Sequence, residues 1–266
     1  MPTYKGAAHL RAAIDSVLAQ TFADFELVVV DDNSPDATPE IVATYADPRI
    51  RFLRNATNLG PQGNWNRCRD EARGRYFKLM PQDDLLDPEC LARQVAVFEK
   101  DAECRLAIVF GARDIIDASG RKIMRRAAFG HHATRIAAHD LIRSCVRRGT
   151  NLIGEPGNVL LRRELAERVG PFDASHGYIV DLDYWFRALK AGDAYYLPQA
   201  LSAFRISEGS WSVAIGARHC QQFRYFARKY AGMPEYRIRR RDLAQGVAMS
   251  WINARARQWL YRWLLR

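Results

Sequence analysis

The sequence of 266 residues has no uninterrupted apolar run of the roughly 18 to 20 residues that a helix needs to cross a bilayer. Its first residues, MPTYKGAAHLRAA, also lack the long apolar segment and the cleavage site of an export signal. Both absences favour a cytoplasmic protein. A basic C-terminal segment keeps open a peripheral position at the inner face of the plasma membrane.

Cysteine is scarce and irregularly placed. The five cysteines are odd in number, are widely scattered and never form a CxxC pair. This pattern argues against a disulfide framework and against a zinc site, because both need paired or clustered cysteines. A reducing compartment such as the cytoplasm fits this usage best.

Acidic residues are outnumbered, but the excess of positive charge is unevenly spread. Against 40 Lys and Arg there are 30 Asp and Glu, which gives a net charge of +10. Residues 237–266 contain eight arginines and one acid, so this segment alone carries +7. It also contains Trp251, Trp259, Tyr261 and Trp263, and this mixture favours an anionic membrane surface at least as strongly as nucleic acid. A helix that covers the rest of the protein is an equally weighted alternative, and we do not expect a nucleic-acid partner.

Apolar runs alternate with helical periodicity over the first 110 residues. Residues 7–20 carry apolar side chains at helical spacing, and the β-branched run FELVVV at 25–30 predicts a buried strand. Thr38, followed by Pro39, is a predicted N-cap of the next helix. The following segments are predicted in this order: strand 49–53, helix 63–73, strand 75–80, helix 88–100 and strand 105–110. We therefore predict an α/β fold with a mostly parallel sheet flanked by helices.

The second half of the chain departs from this alternation, and the region 111–156 is hard to assign. Ser119 and Gly120 predict a hairpin. Further segments predict a strand at 158–162, a helix at 181–191, two short strands within 195–206, and helices from about 216 with a break near Gly232 and Pro234. The chain also opens on the turn-forming MPTYKGA, so we expect the first strand of the sheet to be missing or truncated.

Two acidic pairs directly follow predicted strands. Asp31 and Asp32 come after FELVVV, and Asp83 and Asp84 come shortly after RYFKLM. Ligands of open parallel sheets bind beyond the carboxyl ends of the strands, so both pairs are candidates for a binding site. The alternative for each pair is helix capping or turn formation, which Asp also favours. Because converging carboxylates repel one another, two such pairs predict a hard divalent cation, Mg²⁺ or Mn²⁺, that also binds phosphate oxygens.

A third acidic cluster, Asp181 and Asp183, begins the predicted helix at 181–191. Residues two apart on a helix point in different directions. One carboxylate is therefore able to face a cleft while the other caps the helix or forms an ion pair, and capping by both is the alternative. If Asp181 faces the cleft, it is positioned to take a proton from an attacking hydroxyl group.

Taken together, these segments resemble family 2 glycosyltransferases of the GT-A fold over residues 2 to about 212. Seven segments match in order: PTYKGA (2–7), SVLAQTFADFELVVVDDNSPDAT (16–38), NLGPQGNWNRC (58–68), GRYFKLMPQDDLLDPECL (74–91), GNVLLRRELAERVGPFD (157–173), DLDYW (181–185) and FRISEGSWS (204–212). The resemblance implies a metal-dependent, inverting enzyme that moves a sugar from a nucleoside diphosphate sugar to a saccharide or lipid-linked acceptor. Surface polysaccharide or glycolipid synthesis is the implied setting. We accordingly predict a GT-A domain over 1–215 and a basic helical extension over 216–266.

The resemblance implies a nucleotide site formed by five residues from the first third of the chain. Thr3 and Tyr4 would flank the nucleotide. Asp32, together with Asp31, would recognise its base or ribose, and Asn66 would line the donor site.

The resemblance also implies a metal site and a catalytic base. Asp83 and Asp84 match the metal-binding acidic motif, with Asp84 preferred as the direct ligand and Asp83 assigned to the nucleotide as well. Asp181 matches the base of the family.

The sequence also departs from the family pattern. Val180 precedes Asp181 where the family often has an acid, and Ser207 stands where many members have a histidine near the metal and diphosphate. Arg205 is a candidate for a compensating phosphate contact, although an arginine at a strand end is more often a solvated surface residue. The alternative function is therefore a catalytically impaired relative that binds a nucleotide or a membrane. A sugar nucleotidyltransferase is disfavoured, because PTYKGAAHLR supplies no glycine-rich, basic phosphate loop.

Overall fold

The computed structural model of the protein describes residues 1–175, 177–207 and 218–264. Helices alternate with strands, and the predicted α/β class is confirmed. The described helices are α1 (Leu10–Leu18), α2 (Thr38–Ala43), α3 (Gly60–Glu71), α4 (Cys90–Glu99), α5 (Ala138–Arg148), α6 (Arg163–Val169), α7 (Val180–Ala188), α8 (Arg218–Ala231) and α9 (Arg240–Leu264). The described strands are β1 (Pro2–Thr3), β2 (Leu27–Asp31), β3 (Ile50–Arg54), β4 (Tyr76–Phe77), β5 (Leu85–Leu86), β6 (Leu106–Ile116), β7 (Lys122–Arg126), β8 (Thr134–Ile136), β9 (Val159–Arg162) and β10 (Asp193–Arg205).

The first sheet is parallel and has the strand order β1-β2-β3. All five residues of β2 are buried, as expected of a parallel strand that is covered on both faces. β1 pairs with the end of β2, and the ammonium group of Met1 donates a hydrogen bond to the Val28 carbonyl oxygen at 2.5 Å. The first strand is therefore present but has only two residues. Of the two expectations, a missing or a truncated first strand, the structure shows the truncated one.

The second sheet is mixed and has the strand order β4-β9-β6-β10-β5, with β7 paired to β6 and β8 paired to β10. Among its described pairs, β6 and β10 alone run parallel. Their register extends from Leu106 opposite Asp193 to Ile116 opposite Arg205. The sequence predicts two short strands within 195–206, whereas the structure has one long strand. The register of this strand against β6 shifts between Leu197 and Ser202, and these shifts account for the interruption in the apolar pattern of the sequence.

Several observed boundaries differ from the predicted ones. α2 begins at Thr38 itself, and Asp36 accepts hydrogen bonds from the Thr38 hydroxyl group at 2.6 Å and from the Thr38 N–H at 3.3 Å. Thr38 is therefore not the N-cap. α3 begins at Gly60, three residues before the predicted start, because Asp32 accepts a hydrogen bond from the Gly60 N–H. The strand predicted over 75–80 is confined to Tyr76–Phe77.

The apolar core consists of two clusters on opposite sides of the central strands. Val28 and Val30 of β2 belong to one cluster, and Val29 belongs to the other. In the same way, Phe110 and Val109 of β6 belong to different clusters. Successive side chains of a strand point to opposite faces, so burial of both faces fixes the register of these strands. The polar residues that follow each strand are thereby held at defined places.

The C-terminal helix α9 packs closely against α5 through small residues. A Cβ atom added at Gly246 would overlap the carbonyl oxygen of Val146, and one added at Gly149 would overlap the main chain of Ser250. Gly149 also ends α5 with φ at +61°, a conformation that glycine adopts without strain. The two helices therefore approach to a distance that side chains at these positions would prevent.

Polar contacts secure α9 at both ends of this packing. Asp242 is 2% exposed and accepts a hydrogen bond from Arg143 Nε at 3.1 Å, while Asn253 Nδ2 donates to the Arg148 carbonyl oxygen at 2.7 Å. The basic segment thus covers the α/β body over these residues. None of the helices in the described ranges is both long enough and apolar enough to cross a membrane. The predicted division between residues 215 and 216 lies outside the described residues and stays a prediction.

We expect Gly246→Ala to lower the free energy of unfolding by about 1 to 3 kcal/mol, because the added methyl group overlaps the Val146 carbonyl oxygen. Gly232→Ala is the matched control, since the nearest atom to its added Cβ is the Lys229 carbonyl oxygen at 3.4 Å. Urea unfolding followed by circular dichroism measures both variants. An equal midpoint for Gly246→Ala and the original chain would contradict the close packing of α9 on α5.

Candidate active site

Asp31 lies in a buried network at the carboxyl ends of β1 and β2. Its Oδ2 atom accepts a hydrogen bond from the Ser34 N–H at 3.1 Å and pairs with Arg54 Nε at 3.2 Å. Its Oδ1 atom lies 3.4 Å from the hydroxyl group of Thr3. Asp31 therefore ties the loop after β2 to both neighbouring strands, and its predicted contact with a nucleotide stays a prediction.

Asp32 holds the start of α3. Its Oδ1 atom accepts hydrogen bonds from the Leu59 N–H at 2.8 Å and from Asn55 Nδ2 at 2.5 Å, and its Oδ2 atom accepts one from the Gly60 N–H at 2.9 Å. The Leu59 and Gly60 N–H groups lie at the start of α3, where the helix has no internal acceptors for them. The capping interpretation therefore describes the contacts of Asp32 in this structure, and its role toward a nucleotide remains a prediction.

Two asparagines of α3 face different parts of the protein. Asn66 exchanges hydrogen bonds with the main chain of Phe172, at 2.7 Å and 3.2 Å. Asn64, only 3% exposed, donates to the Val30 carbonyl oxygen at 3.0 Å and to that of Thr3 at 3.4 Å. Asn64, rather than the predicted Asn66, is therefore the asparagine of α3 that contacts the ends of β1 and β2. The sequence prediction missed Asn64. The predicted role of Asn66 in the donor site remains untested.

A reciprocal amide contact joins the N-terminal loop to the second acidic pair. The Tyr4 N–H donates to Gln82 Oε1 at 2.8 Å, and Gln82 Nε2 donates to the Tyr4 carbonyl oxygen at 3.0 Å. Gln82 directly precedes Asp83. Tyr4 therefore lies next to the loop that carries Asp83 and Asp84, which we call the acidic loop. The structure therefore brings together two of the segments that the sequence assigns to the nucleotide.

Asp84 is a buried carboxylate with few partners. It is 2% exposed, and within the described chain its one hydrogen bond comes from the Arg205 N–H, at 3.0 Å from Oδ1. Burial raises the pKa of Asp84 well above its ordinary value, and the negative charges of Asp83 and Glu155 raise it further. Burial also raises the pKa of Asp83. Both carboxyl groups are therefore costly to ionise without a nearby positive charge.

Arg205 is enclosed by the protein rather than by solvent. It is 3% exposed, its Nε atom donates to the Asp83 carbonyl oxygen at 2.8 Å, and its Nη1 atom donates to the carbonyl oxygens of Asp117 and Ala118 at 3.1 and 3.0 Å. The expectation of a solvated surface arginine is therefore wrong, because three carbonyl groups surround this guanidinium. Arg205 fixes the acidic loop to the hairpin between β6 and β7.

The donor set of Asp83 and Asp84 suits a hard divalent cation. A cation beside the pair would offset the burial that raises the pKa of both groups and the repulsion from Asp83 that raises the pKa of Asp84 further. The described residues contain no group of three or more His, Cys, Asp or Glu side chains that could hold a metal. An ion at this pair would thus depend on diphosphate oxygens and water for its other ligands, the arrangement that Mg²⁺ commonly adopts in proteins.

Asp181 lines a cavity of about 540 Å³. Asn151 Nδ2 donates to Asp181 Oδ2 at 2.8 Å, and the Leu182 N–H donates to Oδ1 at 2.7 Å. Burial raises the pKa of Asp181 to about 7, and the negative charge of Glu155 acts in the same direction. A carboxylate with this pKa is suited to accept a proton near neutral pH.

Asp183, in contrast, is surrounded by ion-pair and hydrogen-bond partners from the protein. It is fully buried, and it pairs with Arg187 at 2.8 Å and with Lys229 at 3.3 Å. The Tyr230 hydroxyl group also donates to its Oδ1 atom at 2.9 Å. The two aspartates that begin α7 therefore separate as predicted, because one lines the cavity and the other joins α7 to α8.

Glu155 and Arg113 are residues of this site that the sequence prediction missed. Glu155 Oε2 lies 2.5 Å from Arg113 Nε, and Arg113 is 3% exposed. The charge of Glu155 acts on both Asp84 and Asp181, which places the three carboxylates in one electrostatic neighbourhood. Both residues belong to the region 111–156, where the periodicity that identifies strands and helices is weak. The sequence GEPG just before the strand predicted at 158 is the one signal that could have indicated Glu155.

His9 is a further residue that the sequence prediction missed. It is the N-cap residue of α1, and the charges of Asp83 and Arg205 act on its imidazole ring. Burial and the positive charge of Arg205 lower the pKa of His9. A neutral imidazole near the acidic loop is therefore favoured at neutral pH.

Sequence comparison finds one matching family and several similar proteins. The sequence model of glycosyl transferase family 2 matches residues 1–170. Protein MT1568 of Mycobacterium tuberculosis is 32% identical over 214 residues, which are 77% of this chain and 65% of that protein. The succinoglycan biosynthesis protein ExoO of Rhizobium meliloti is 37% identical over 120 residues, which are 45% of this chain and 34% of ExoO.

A third relative has a named reaction. It is the UDP-Glc:alpha-D-GlcNAc-diphosphoundecaprenol beta-1,3-glucosyltransferase WfgD of Escherichia coli, which is 33% identical over 117 residues, 44% of this chain and 45% of WfgD. The chain thus spans 65% or less of the length of each of these three relatives.

Structural comparison confirms the predicted GT-A type of fold. TarS of Staphylococcus aureus, solved in complex with UDP-GlcNAc, aligns with a TM-score of 0.71 at 19% identity, covering 95% of this chain and 77% of TarS. The mannosyltransferase PcManGT of Pyrobaculum calidifontis, solved with GDP-Man and Mn²⁺, aligns with a TM-score of 0.64 at 19% identity, covering 96% of this chain and 71% of that one. At these identities the likeness establishes the fold alone.

We expect Asp181→Asn to stabilise the protein at alkaline pH. The pKa of Asp181 is about 7 in the folded chain and has an ordinary value of 3.8. Its ionisation therefore lowers the free energy of unfolding by the full amount above pH 7 and by nothing below about pH 4. The free energy of unfolding should therefore rise by about 1 to 3 kcal/mol at pH 8, with a gain that shrinks toward pH 5. Urea unfolding at the two pH values measures this difference.

Asp183→Asn is the control for this prediction, because it sits on the same helix and loses ion pairs with Arg187 and Lys229. We expect it to lower stability at both pH values. A change in stability for Asp181→Asn that is the same at pH 8 and pH 5 would contradict the raised pKa.

Proposed function

Because the chain belongs to glycosyltransferase family 2, we propose that it transfers a sugar from a nucleoside diphosphate sugar to an acceptor hydroxyl group, with inversion at the anomeric carbon. One observation carries the proposal beyond family membership. Asp181, whose pKa is raised to about 7, lines a cavity. The negative charge of Glu155 contributes to the raised pKa of both Asp181 and the buried Asp84. A proton acceptor and a candidate cation ligand thus act within one neighbourhood, as a sugar transfer requires.

On the donor side, we assign the nucleotide to the residues at the carboxyl ends of β1 and β2. Thr3, Tyr4, Asp31 and Asp32 come from this edge, and Tyr4 is bonded through its main chain to Gln82 beside Asp83. The 42% exposure of Tyr4 leaves its ring free to stack on a base. Asn66 completes the proposed donor set from α3.

For the metal, we assign Asp84 as the direct ligand and Asp83 as its neighbour. When bound, Mg²⁺ or Mn²⁺ would neutralise negative charge on the departing diphosphate. The chain's own contribution is to hold the acidic loop in place, through the hydrogen bonds of Arg205 to Asp83 and Asp84. PcManGT, a structural neighbour, was solved with Mn²⁺ and a nucleotide sugar.

Asp181 is the proposed catalytic base. The acceptor oxygen attacks the anomeric carbon, its proton passes to the Asp181 carboxylate, and the bond from that carbon to the diphosphate oxygen breaks. Nucleoside diphosphate leaves on the opposite side, so a single displacement inverts the anomeric configuration. Asn151 holds Oδ2 of the base in a fixed orientation through its hydrogen bond of 2.8 Å.

The proposed setting is the synthesis of surface polysaccharide or glycolipid, with a saccharide or lipid-linked acceptor. Two relatives support it, since ExoO is named for succinoglycan biosynthesis and WfgD for transfer to a diphosphoundecaprenol-linked sugar. A cytoplasmic protein that reaches the inner face of the plasma membrane would meet both a soluble donor and such an acceptor.

We further propose that the outer face of α9 contacts an anionic membrane. Trp251 is 53% exposed, Ile252 49% and Trp259 72%, and the Arg255 guanidinium lies 4.3 Å from the ring centroid of Trp251. Exposed indole rings beside arginine suit the interface between lipid headgroups and acyl chains.

To separate binding from chemistry, we compare Asp84→Ala with Asp181→Asn. Calorimetry with UDP or GDP and Mn²⁺ should show at least roughly tenfold weaker nucleotide binding for Asp84→Ala, because a metal ligand is lost. Asp181→Asn should bind as the original chain does but transfer sugar about 10²- to 10⁴-fold more slowly. Asp24→Ala, an exposed aspartate of the same domain, is the control.

Two outcomes would contradict these assignments. Undiminished transfer by Asp181→Asn would remove Asp181 as the base. Nucleotide binding by the original chain that does not depend on the metal, together with no turnover of any donor, would favour the impaired relative.

For the membrane contact, co-sedimentation with vesicles of phosphatidylglycerol and phosphatidylcholine is the measurement. The double variant W251A/W259A should partition severalfold less than the original chain, and added salt should weaken the binding of both. Leu59→Ala removes another exposed apolar side chain, 50% exposed, from a different part of the surface and should change nothing. Equal partitioning of all three proteins would refute the membrane contact.

A further inference from the structure

The loop between α5 and β9 connects the proposed base with the proposed metal ligand. Near the start of this loop, Asn151 Nδ2 donates to Asp181 Oδ2 at 2.8 Å. Near its end, a Cβ atom added at Gly157 would lie 3.7 Å from Asp84 Oδ2, so the main chain of Gly157 runs beside that carboxylate. Glu155 lies between these two contacts along the chain and lines the same cavity as Asp181. The loop therefore adds a third carboxylate to the region that joins the base to the metal ligand.

Arg113 holds this third carboxylate in place. Its Nε atom lies 2.5 Å from Glu155 Oε2, and its Nη2 atom donates to the Asn151 carbonyl oxygen at 3.3 Å. The guanidinium also packs against Gly154, where an added Cβ atom would lie 3.1 Å from Cζ. Gly154 has φ at +113°, a conformation that other residues rarely adopt. The buried Arg113 is thus fixed by the loop that carries Glu155.

The Glu155 carboxylate has a charge partner but no hydrogen-bond donor. Its Oε2 atom is buried beside Arg113, yet within the described part of the chain neither of its oxygens accepts a hydrogen bond. The Glu155 side chain is 19% exposed, and because Oε2 is buried this exposure lies on its other atoms. Carboxylate oxygens in such surroundings normally have hydrogen-bond donors. Glu155 is therefore able to accept hydrogen bonds from a ligand in the cavity.

The chemistry of the proposed transfer brings a sugar to this carboxylate. The donor diphosphate is assigned to Asp84 and the attacking oxygen to Asp181, so the transferred sugar ring must lie between these two residues. The negative charge of Glu155 acts on both Asp84 and Asp181, in agreement with a place near both. The hydroxyl groups of a sugar donate hydrogen bonds, and an ionised carboxylate is a strong acceptor for them.

We propose that Glu155 accepts a hydrogen bond from a ring hydroxyl group of the transferred sugar and thereby helps to determine which donor the protein uses. The substrate class is a nucleoside diphosphate sugar with a free hydroxyl group at the position that faces Glu155, and the deoxy sugar that lacks this group is rejected. The inference rests on the proposed function, because that reaction places the sugar between Asp84 and Asp181. Arg113 is a positioning residue that acts through Glu155.

Binding of whole donors, compared with binding of the nucleotide alone, tests the inference. Calorimetry with Mn²⁺ gives the dissociation constants of UDP, UDP-glucose, UDP-N-acetylglucosamine, GDP and GDP-mannose, and the donor that binds most tightly is then used. The ratio of its dissociation constant to that of its nucleotide should rise about tenfold in Glu155→Ala. It should rise about threefold in Glu155→Gln, which keeps the size of the side chain and an acceptor oxygen but loses the charge. Glu164→Ala, at an exposed glutamate of α6, is the matched control and should leave the ratio unchanged.

A deoxyfluoro series of the same donor locates the contact. Replacing each ring hydroxyl group in turn by fluorine removes one hydrogen-bond donor and keeps the ring. One of these replacements should weaken binding to the original chain about tenfold but weaken binding to the Glu155 variants much less, because its partner is already altered there. The other replacements should weaken binding to all of the proteins by equal factors.

Two results would overturn the role of Glu155 and leave the proposed function intact. The first is a ratio that stays unchanged in Glu155→Gln and Glu155→Ala, and Glu155→Gln alone decides this point if Glu155→Ala does not fold. The second is an equal loss for every fluorinated donor in the original chain and in the variants. An original chain that binds no nucleotide with Mn²⁺ would instead overturn the proposed function, and the inference with it.

Discussion

Burial of carboxylates, reinforced by the negative charges of neighbouring acids, is the constraint on which the candidate site depends. Burial raises the pKa of Asp84, and the charge of Glu155 adds to that effect on Asp84 and on Asp181 alike. Asp181 consequently has a pKa of about 7, at which it exchanges protons under neutral conditions. Asp84 is stabilised in its charged form by any cation that reaches it. One electrostatic arrangement therefore favours both a proton acceptor and a metal ligand, at a cost in stability that the rest of the fold offsets.

The pair of parallel strands β6 and β10 supplies the countercharges. Arg113 lies in β6 and pairs with Glu155, whereas Arg205 ends β10 and donates to the Asp83 carbonyl oxygen. Both arginines are 3% exposed, so their charges are screened little by water. The longest strand pair among the described residues thus connects the acidic loop with the cavity, and residues of α9 form part of the cavity wall.

The sequence predicts the candidate site residues that follow regular elements and does not indicate those that lie elsewhere. Asp31 and Asp84 are predicted site residues because they follow apolar strands, and the separation of Asp181 from Asp183 follows from helical geometry. Glu155 and Arg113 were missed, because their segment has weak periodicity and their pairing joins residues that are distant in the sequence. The interpretation of Arg205 as a solvated residue failed for a related reason, since its three carbonyl partners come from two other loops.

The most direct test of this account is the position of a bound metal. A crystal structure of the protein with Mn²⁺ and the nucleoside diphosphate that binds it most tightly would locate the ion by its anomalous scattering. The account predicts the ion at about 2 Å from a carboxylate oxygen of Asp84, with diphosphate oxygens completing its coordination and with Asp181 facing the same site. An ion bound away from both Asp83 and Asp84 would contradict it.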